Sequence, residues 1–596
     1  MKKFGIGLEK IYRIMLLLFG VLEIGILWAM SVFFICYISS DTNEMTFFCK
    51  DNPLLNIILV MLFVAILFGL KKLGIVNSLK TKLKDDEFFS KSQKIMLRII
   101  AVLGVAWVVI TQYVPGSDQL DVMSSSFKYG RHLTDMVEAG GYLDKWPHNI
   151  GITTIETVLA FFVGDYNAIF MQLLNVLGIV WIYKKLVVTW NKMGGSRLSQ
   201  FFTLLCGIIF YPLIMYASFV YGNIWSLTFA LIALDAELDF LEKKRGIDIA
   251  KCAIAVGLSF MVKGSGIIFL VALAIIALVQ GVINEIKIHK IVIAIVAMCV
   301  SVTLFSAIPK TVLEKTTGKE IRDDGIWSFV AMGLQEEGAV AGWYNGYCLN
   351  VYYDNNRDTA LAEKLAKEET FNRLNYLFSD KHHAYEFFSK KIASMWIEPT
   401  YQGYWINQVR NHRVNFPGWL TAFMSAKGYT VAAKIFNVFE ILILTGTVLW
   451  LILEDKNSFT KRSFFLLTVV GGFTFHLAWE IKAQYSITYF VLLFPYAIAG
   501  FEMLLEKGTG VLRDSDKIVL GYTTAVIILY LVGYVMDASH CLSNQNDIYD
   551  AYLENWTQPN LDESIYDINY MKADLKTEQE RNAYFVKLLN DNGIQY

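Results

Sequence analysis

The sequence predicts an all-α polytopic membrane protein, and three observations carry that prediction. Of its 596 residues, 55% are hydrophobic and 18% charged, and the mean hydropathy of +0.43 lies well beyond the balance of a water-soluble domain. Apolar runs long enough to cross or nearly cross a bilayer recur along the chain. Basic residues gather between alternate runs, as they do in loops kept on the cytoplasmic side.

The runs lie near 11–38, 54–71, 96–114, 167–190, 200–219, 222–240, 250–262, 265–283, 291–308, 430–453, 463–479, 485–504 and 518–536, which predicts about thirteen crossings. The first, about Ile11 to Ile38, outlasts a signal-peptide core and has no small-residue cleavage site after it, so it reads as a retained helix. The 250–262 run is too short to span alone. Segment 250–283 therefore reads as a tight hairpin turning at MVKGSG, where glycines allow the reversal, or as one broken, tilted helix.

The clusters MKKFGIGLEKIYR, KKLGIVNSLKTKLK, the basic residues of 184–197, EKKR at 242–245, EIKIHK and Lys461-Arg462 mark the cytoplasmic ends. The expected setting is a bacterial plasma membrane, with the N-terminus cytoplasmic and the C-terminus outside. Segments 115–166, 309–429 and 537–596 then fall outside. The short apolar stretch 152–163 (TTIETVLAFFVG) keeps this alternation only as a helix lying on the outer surface.

The resulting organisation has five parts: an N-terminal transmembrane hairpin with a basic loop (1–95), a transmembrane core (96–308) containing the first outer loop (115–166), an outer domain of mixed structure (309–429), C-terminal helices (430–536) and an outer tail (537–596). The outer domain is expected from its aromatic, mixed-charge sequence around the helix-like DTALAEKLAKEETFNRLNYLF.

Lys+Arg (53) and Asp+Glu (54) nearly cancel, so no global field points to nucleic acid. The seven cysteines form no CxxC pair and give no zinc or disulfide framework by spacing, although Cys49, Cys348 and Cys541 fall on the predicted outer side. The chain has no P-loop or GxGxxG phosphate cradle, which weighs against a nucleotide-sugar substrate. Membrane lipids are the expected surroundings.

Chemistry concentrates where the third run ends, in VPGSDQLDV. Asp118 and Asp121 stand there at headgroup level, where a carboxylate can take a proton from an attacking hydroxyl. Asp118 can equally cap the helix that follows, and the two roles are compatible. Lys263, between two apolar runs, needs an anion or must snorkel to the interface. In HLAWEIKAQY, helical spacing sets His476 and Glu480 on one face, with Lys482 and Tyr485 toward the outer end. A pair at i and i+4 is not itself a metal site.

In KWPHNIG, Pro147 fixes a turn, and His148 and Asn149 offer polar tips. Trp343 and Tyr344, with other outer aromatics, can stack on sugar faces or anchor at the interface. Asp235 and Glu237 read as end-of-helix charges near LEKKR, whereas Glu23 has no evident role.

Four of these pieces together, SDQLDV, KWPHNIG before a surface helix ending in FFVGDYNA, the MVKGSG hairpin and HLAWEIKAQYSITYFVLLFP, give the chain across roughly 96–504 a pattern that resembles the GT-C superfamily of integral membrane glycosyltransferases. The likeness is to the protein-mannosyltransferase and aminoarabinose-transferase type, which uses polyprenyl-phosphate-linked sugars. The matching positions are Asp118, Trp146-Pro147, Tyr485 and Pro495. The chain departs from the pattern in having Gln119 where many relatives carry a second acid, and in two helices that precede the family-like first span.

The resemblance implies a GT-C-like bundle and an inverting sugar transferase. Asp118 would be the general base and Asp121 the second choice. Lys263, Arg131, Lys482 and Tyr485 would hold the donor phosphate, and His148, Asn149, His476, Glu480, Trp343 and Tyr344 the remaining substrate contacts. The partners are a polyprenyl-phosphate sugar and an extracytoplasmic acceptor: glycopolymer, lipid or protein. The resemblance fixes no cofactor and leaves open a divalent cation, Mg or Mn. A lipid-linked oligosaccharide polymerase or ligase and a lipid-sugar transporter are the alternative classes.

Overall fold

The computed structural model describes residues 2–323, 325–510, 516–537, 542 and 544–555. Helix occupies the predicted apolar runs, apart from the last five residues of the first. Among the described residues, eight helices are long and apolar enough to cross a bilayer, or nine if the pair Arg197–Ile209 and Tyr211–Ser218, bent by 60°, is one crossing. The other runs hold Asn223–Lys243, Gly246–Val262 and Phe464–Ala478, which are shorter or more polar, and the 21-residue helix Lys517–Asp537. The chain is thus an α-helical, multi-pass membrane protein.

Several boundaries differ from the sequence reading. The first helix, Lys2–Phe33, ends five residues early, and Phe34–Ile38 is a strand paired antiparallel with Thr46–Lys50. FICYI extends an apolar run, so hydropathy alone could not separate strand from helix there. Helix Ile288–Thr317 continues past Pro309, so the segment expected to begin at 309 starts beyond 317. That segment, expected to be mixed, is helical: Ile326–Gly333, Tyr347–Tyr353, Thr359–Ser379, Lys381–Trp396, Trp405–Gln408 and Gly418–Met424.

The 250–283 segment is a hairpin. Lys244 Nζ donates to the Asn284 carbonyl (3.4 Å) and Asn284 Nδ2 to that of Leu241 (3.4 Å), so the start of Gly246–Val262 lies beside the end of Gly266–Ile283. Helix Ile150–Val163, at 14 residues, is about 21 Å long and too short to span. It exposes Phe161 and Phe162 by 86% and 75%, as an apolar face lying on a bilayer surface would.

The two classes of loop separate to opposite ends of the bundle. At the basic end, Tyr12 bonds Ser463 (2.7 Å), Arg13 donates to the Lys456 carbonyl, Lys80 pairs with Glu502 (2.9 Å), Arg197 donates to the Leu83 carbonyl (2.9 Å), and Gln280 donates to the Thr460 carbonyl (3.0 Å). Asp235 takes Lys185 and Lys192 there. At the other end, Cys36 bonds Ile397 and Val114 bonds Asn411 through the backbone, and Trp405 donates to the Asp41 carbonyl.

One apolar core takes in Tyr12, Val176, Trp343, Ile443 and Tyr549, so the described residues of the five sequence segments share one core. Glu440 ties three of them together: Ser31 Oγ (2.6 Å) and Tyr401 OH (3.0 Å) both donate to its buried carboxyl group. Glu23 also finds a partner, accepting from Thr474 Oγ1 (3.1 Å). Buried polar groups need such partners, since water cannot supply them.

Asp144 locks the 115–166 loop to the helices of the segment after Thr317. It is 4% exposed and accepts from Arg357 (2.8 Å), Tyr352 (3.2 Å), Tyr353 (2.8 Å) and the Gly140 N–H (3.0 Å). Asp144→Asn leaves at least two of these donors poorly matched and is expected to cost about 2 kcal/mol. The readout is a lower midpoint of thermal unfolding of the purified protein; an unchanged midpoint would remove Asp144 from the fold's supports.

Candidate functional site

The site forms at the end away from the basic loops, where residues distant in sequence meet around Asp118. Helix Asp118–Tyr129 begins with Asp118 in its first turn, and Ser117 at its N-cap position makes no side-chain capping bond. Asp118 is therefore not the cap. Its carboxylate and that of Asp121 stand exposed in the first turn, where the helix dipole favours negative charge.

The short motif around it is built residue by residue. Gly116 leaves room for Arg410: a Cβ there would lie 2.8 Å from Nη1 of the guanidinium. Ser117 has φ +50°, a strained conformation that surrounding structure must enforce. Gln119 is buried, and its Oε1 accepts from the Val220 N–H (2.8 Å). That bond ties the helix start to the turn bearing Tyr221.

Tyr221 and Tyr142 stand beside Asp118. Asn149 Nδ2 donates to the hydroxyls of both, at 3.1 and 2.9 Å. Burial first, and then the Asp118 charge, pushes the Tyr221 phenol up. Gly222, at φ +82°, lets this turn pack on the end of helix Gly246–Val262, where a Cβ would lie 2.2 Å from the Val262 carbonyl oxygen. The next residue is Lys263, whose ammonium lies 4.0 Å from the Tyr221 ring centroid and 5.7 Å from that of Tyr485, within cation–π range.

Three cations lie within electrostatic range of Asp118: Lys263, Arg410 and Lys482. Among the described residues, neither Lys263 nor Arg410 has a hydrogen-bonded or ion-pair partner, and Arg410 Nε is enclosed without an acceptor. Burial lowers Lys263 to about 8, against the opposing pull of Asp118 and Glu480. Burial likewise lowers Arg410 to about 10, against Asp118 and Glu44. For Lys482, burial works against the charge, but Glu44 and Glu480 outweigh it and the group titrates above its ordinary value.

The predicted HLAWEIKAQY corner is partly as expected. Lys482, Tyr485 and Glu480 join the cluster, and burial raises the Glu480 carboxyl despite Lys482 and Lys263. His476 instead supports the turn: its Nδ1–H donates to the Glu480 carbonyl (3.1 Å) and its ring stacks on Tyr485 at 5.5 Å, while Nε2 is enclosed. Tyr344 is 37% exposed, lies 5.8 Å from Trp146 and is pushed up to about 12 by burial, with Glu480 and Asp118 adding to the shift. His148 is exposed and edges onto Trp146 and Phe329.

Three expected contacts are corrected. Arg131 lies past the far end of the Asp118 helix, about 18 Å along its axis, and is engaged by Asp165 (2.7 Å) and the Phe127 ring (3.6 Å). Trp343 is 1% exposed and donates through Nε1 to Glu44 (2.8 Å), so no sugar can stack on it. Asn149, 3% exposed, orients the two tyrosines and presents no free tip.

Sequence reasoning missed Tyr142, Tyr221, Arg410 and Glu44. Tyr221 had a weak signal, a Tyr-Gly pair just before a span. Arg410 had none, because a backbone bridge between Tyr113 and His412 brings it in.

Among the described residues, no group of three or more His, Cys, Asp or Glu side chains is arranged to hold a metal ion. A Mg or Mn ion fits poorly beside Asp118, since the neighbouring position is Gln119 and its carboxamide oxygen is already engaged. Two cavities border this end. One of about 260 Å³ runs past Pro147, His148, Phe260, Met261, Phe305 and Lys310, and one of about 400 Å³ is lined by Phe48, Glu336, His383, Glu386 and Lys390. Comparison with protein-family models gives no match, and comparison with curated proteins gives none either.

Proposed function

We propose that the protein is an inverting glycosyltransferase that moves a sugar from a polyprenyl-phosphate donor to a hydroxyl acceptor on the outer face of the membrane. The observation that carries this reading is the convergence of three cations, Arg410 buried and Lys263 and Lys482 half-buried, on an exposed Asp118 at the end of the bundle away from the basic loops; among the described residues, Arg410 and Lys263 have no carboxylate partner. Cations buried without partners are costly unless an anion completes them. A lipid-linked phosphate is the anion whose position at a membrane surface matches theirs.

In this reading the acceptor hydroxyl attacks the anomeric carbon while Asp118 takes its proton. The bond from that carbon to the phosphate oxygen breaks, and its electron pair leaves with the lipid phosphate. One negative charge disappears from Asp118 as one appears on the phosphate. Lys263, Arg410 and Lys482 stabilise that arriving charge, and Tyr485 and Tyr221 wall the pocket. The 260 Å³ cavity, which sets Phe260, Met261 and Phe305 beside Lys310 and Arg322, suits the first lipid units next to a phosphate, and the polar 400 Å³ cavity suits an acceptor from the aqueous side.

The direct test offers the purified protein polyprenyl-monophosphate and polyprenyl-diphosphate sugars side by side, with a flipping assay in liposomes. Transfer from the monophosphate alone supports the proposal. Use of diphosphate oligomers would make it a polymerase or ligase, and flipping without transfer a transporter.

The pH dependence follows from Lys263. With its value near 8, it is charged below that pH and neutral above it, so donor capture falls as pH rises through about 8. Because kcat/KM reports the free protein, its basic limb should fall there, and Lys263→Arg, which keeps its charge, should remove that limb. A wild-type profile flat across this range would take Lys263 out of the donor site.

A further inference from the structure

Glu44 lies in the reversal between strands Phe34–Ile38 and Thr46–Lys50, in the N-terminal part of the chain that the GT-C-like pattern does not cover. Its backbone sits at φ +53°, a region that non-glycine residues rarely occupy and that only surrounding structure can hold. It is 8% exposed. Trp343 Nε1 donates to one carboxylate oxygen (2.8 Å), and Lys482 Nζ donates to both, at 3.1 and 2.9 Å.

The hairpin is pinned from several sides. Asp41 accepts from Ser39 Oγ and the Asn43 N–H, its carbonyl accepts from Trp405 Nε1 (2.8 Å), and the Ser40 N–H donates to Tyr552 OH (2.7 Å). A carboxylate supplied only to neutralise a lysine could sit on a freely moving side chain. This one is delivered on a strained, braced turn and shared with a buried indole, so Lys482 is directed as well as neutralised.

We propose, on the glycosyl-transfer reading above, that Glu44 is a positioning residue: it fixes Lys482 against the site of the donor phosphate and keeps it protonated there, without touching substrate. The groups facing Lys482 are Glu44, Glu480 and Asp118, which favour its charge, and Lys263, the neighbouring cation. Of these, Glu44 alone holds it by hydrogen bonds. A role confined to supporting Trp343 would leave Lys482 and the donor unaffected.

The test measures binding of polyprenyl monophosphate to the full-length protein in lipid nanodiscs, followed by donor kinetics. Glu44→Gln keeps an acceptor for Trp343 and loses the charge. It should weaken binding about tenfold, yet add less than about twofold on a Lys482→Met background, the signature of a coupled pair. In the Lys263→Arg background, which lacks the Lys263 limb, Glu44→Gln should bring a basic limb into the kcat/KM profile, because Lys482 has lost its strongest opposing charge.

Glu44→Asp, which keeps the charge one methylene short, should fall between wild type and Glu44→Gln, and it carries the same cycle if the glutamine variant does not fold. Unchanged binding in Glu44→Gln, or losses that add fully with Lys482→Met, would overturn the proposal and leave the transferase reading intact. Wild-type protein that does not bind polyprenyl monophosphate would instead overturn that reading, and this proposal with it.

Discussion

Asp118→Asn is expected to lower sugar transfer by about a thousandfold, the middle of the range for loss of a general base, while leaving the protein folded and inserted. The geometry makes the two outcomes separable. Asp118 is exposed, caps nothing and lies in the first turn of its helix, so the change removes a charge with little structural support. Binding of polyprenyl monophosphate should persist or tighten, since a carboxylate that repels the phosphate has become neutral. Retained turnover in Asp118→Asn would exclude it as the base and turn attention to Asp121, one helical turn away. A fall in thermal midpoint matching the loss of activity would assign Asp118 a structural role instead.

Arg410→Met carries the second large effect. Losing a desolvated cation that completes an anion site costs about 2–5 kcal/mol, or roughly thirtyfold to several thousandfold in kcat/KM for the donor. The same substitution should hold or raise the thermal midpoint. Arg410 is 7% exposed, its Nε has no acceptor, and no described residue pairs with it. A long apolar side chain can take its place against Gly116 without the desolvation cost. Stability gained with activity lost marks a group retained for a ligand. A marked fall in midpoint would show that Arg410 holds the 112–116 and 409–414 segments together, and the anion-site argument would lose its best member.

These two residues also mark how far the sequence could be read. Asp118 was legible because an acid directly after an apolar run stands at a membrane surface whatever the tertiary fold. Helices were legible for the same local reason, as were the Gly246–Ile283 hairpin and the surface helix Ile150–Val163. Arg410 lies in NQVRNHRVN, a stretch with no periodicity, and only the bridge of Tyr113 to His412 makes it a neighbour of Asp118. The aromatic outer segment misled for a physical reason. Trp and Tyr suit a wet interface, a sugar face and a dry core equally well, and Trp343, Tyr401 and Tyr404 went to the core. Phe34–Ile38 misled because a buried strand and a helix end share the same hydropathy.

The bond from Lys482 to Glu44 closes a separation of 438 residues. At ribosomal speeds of about 5–20 residues per second, the second partner follows the first by roughly 20–90 s. During that interval the Glu44 carboxylate has no Lys482 to pair with, because every shorter nascent chain lacks that lysine. The centre can therefore close only after the late helix pair around residues 464–507 has been inserted. Truncated or stalled products would sit in the bilayer as inert bundles, and on this account sugar transfer begins only once nearly the whole polypeptide has been made.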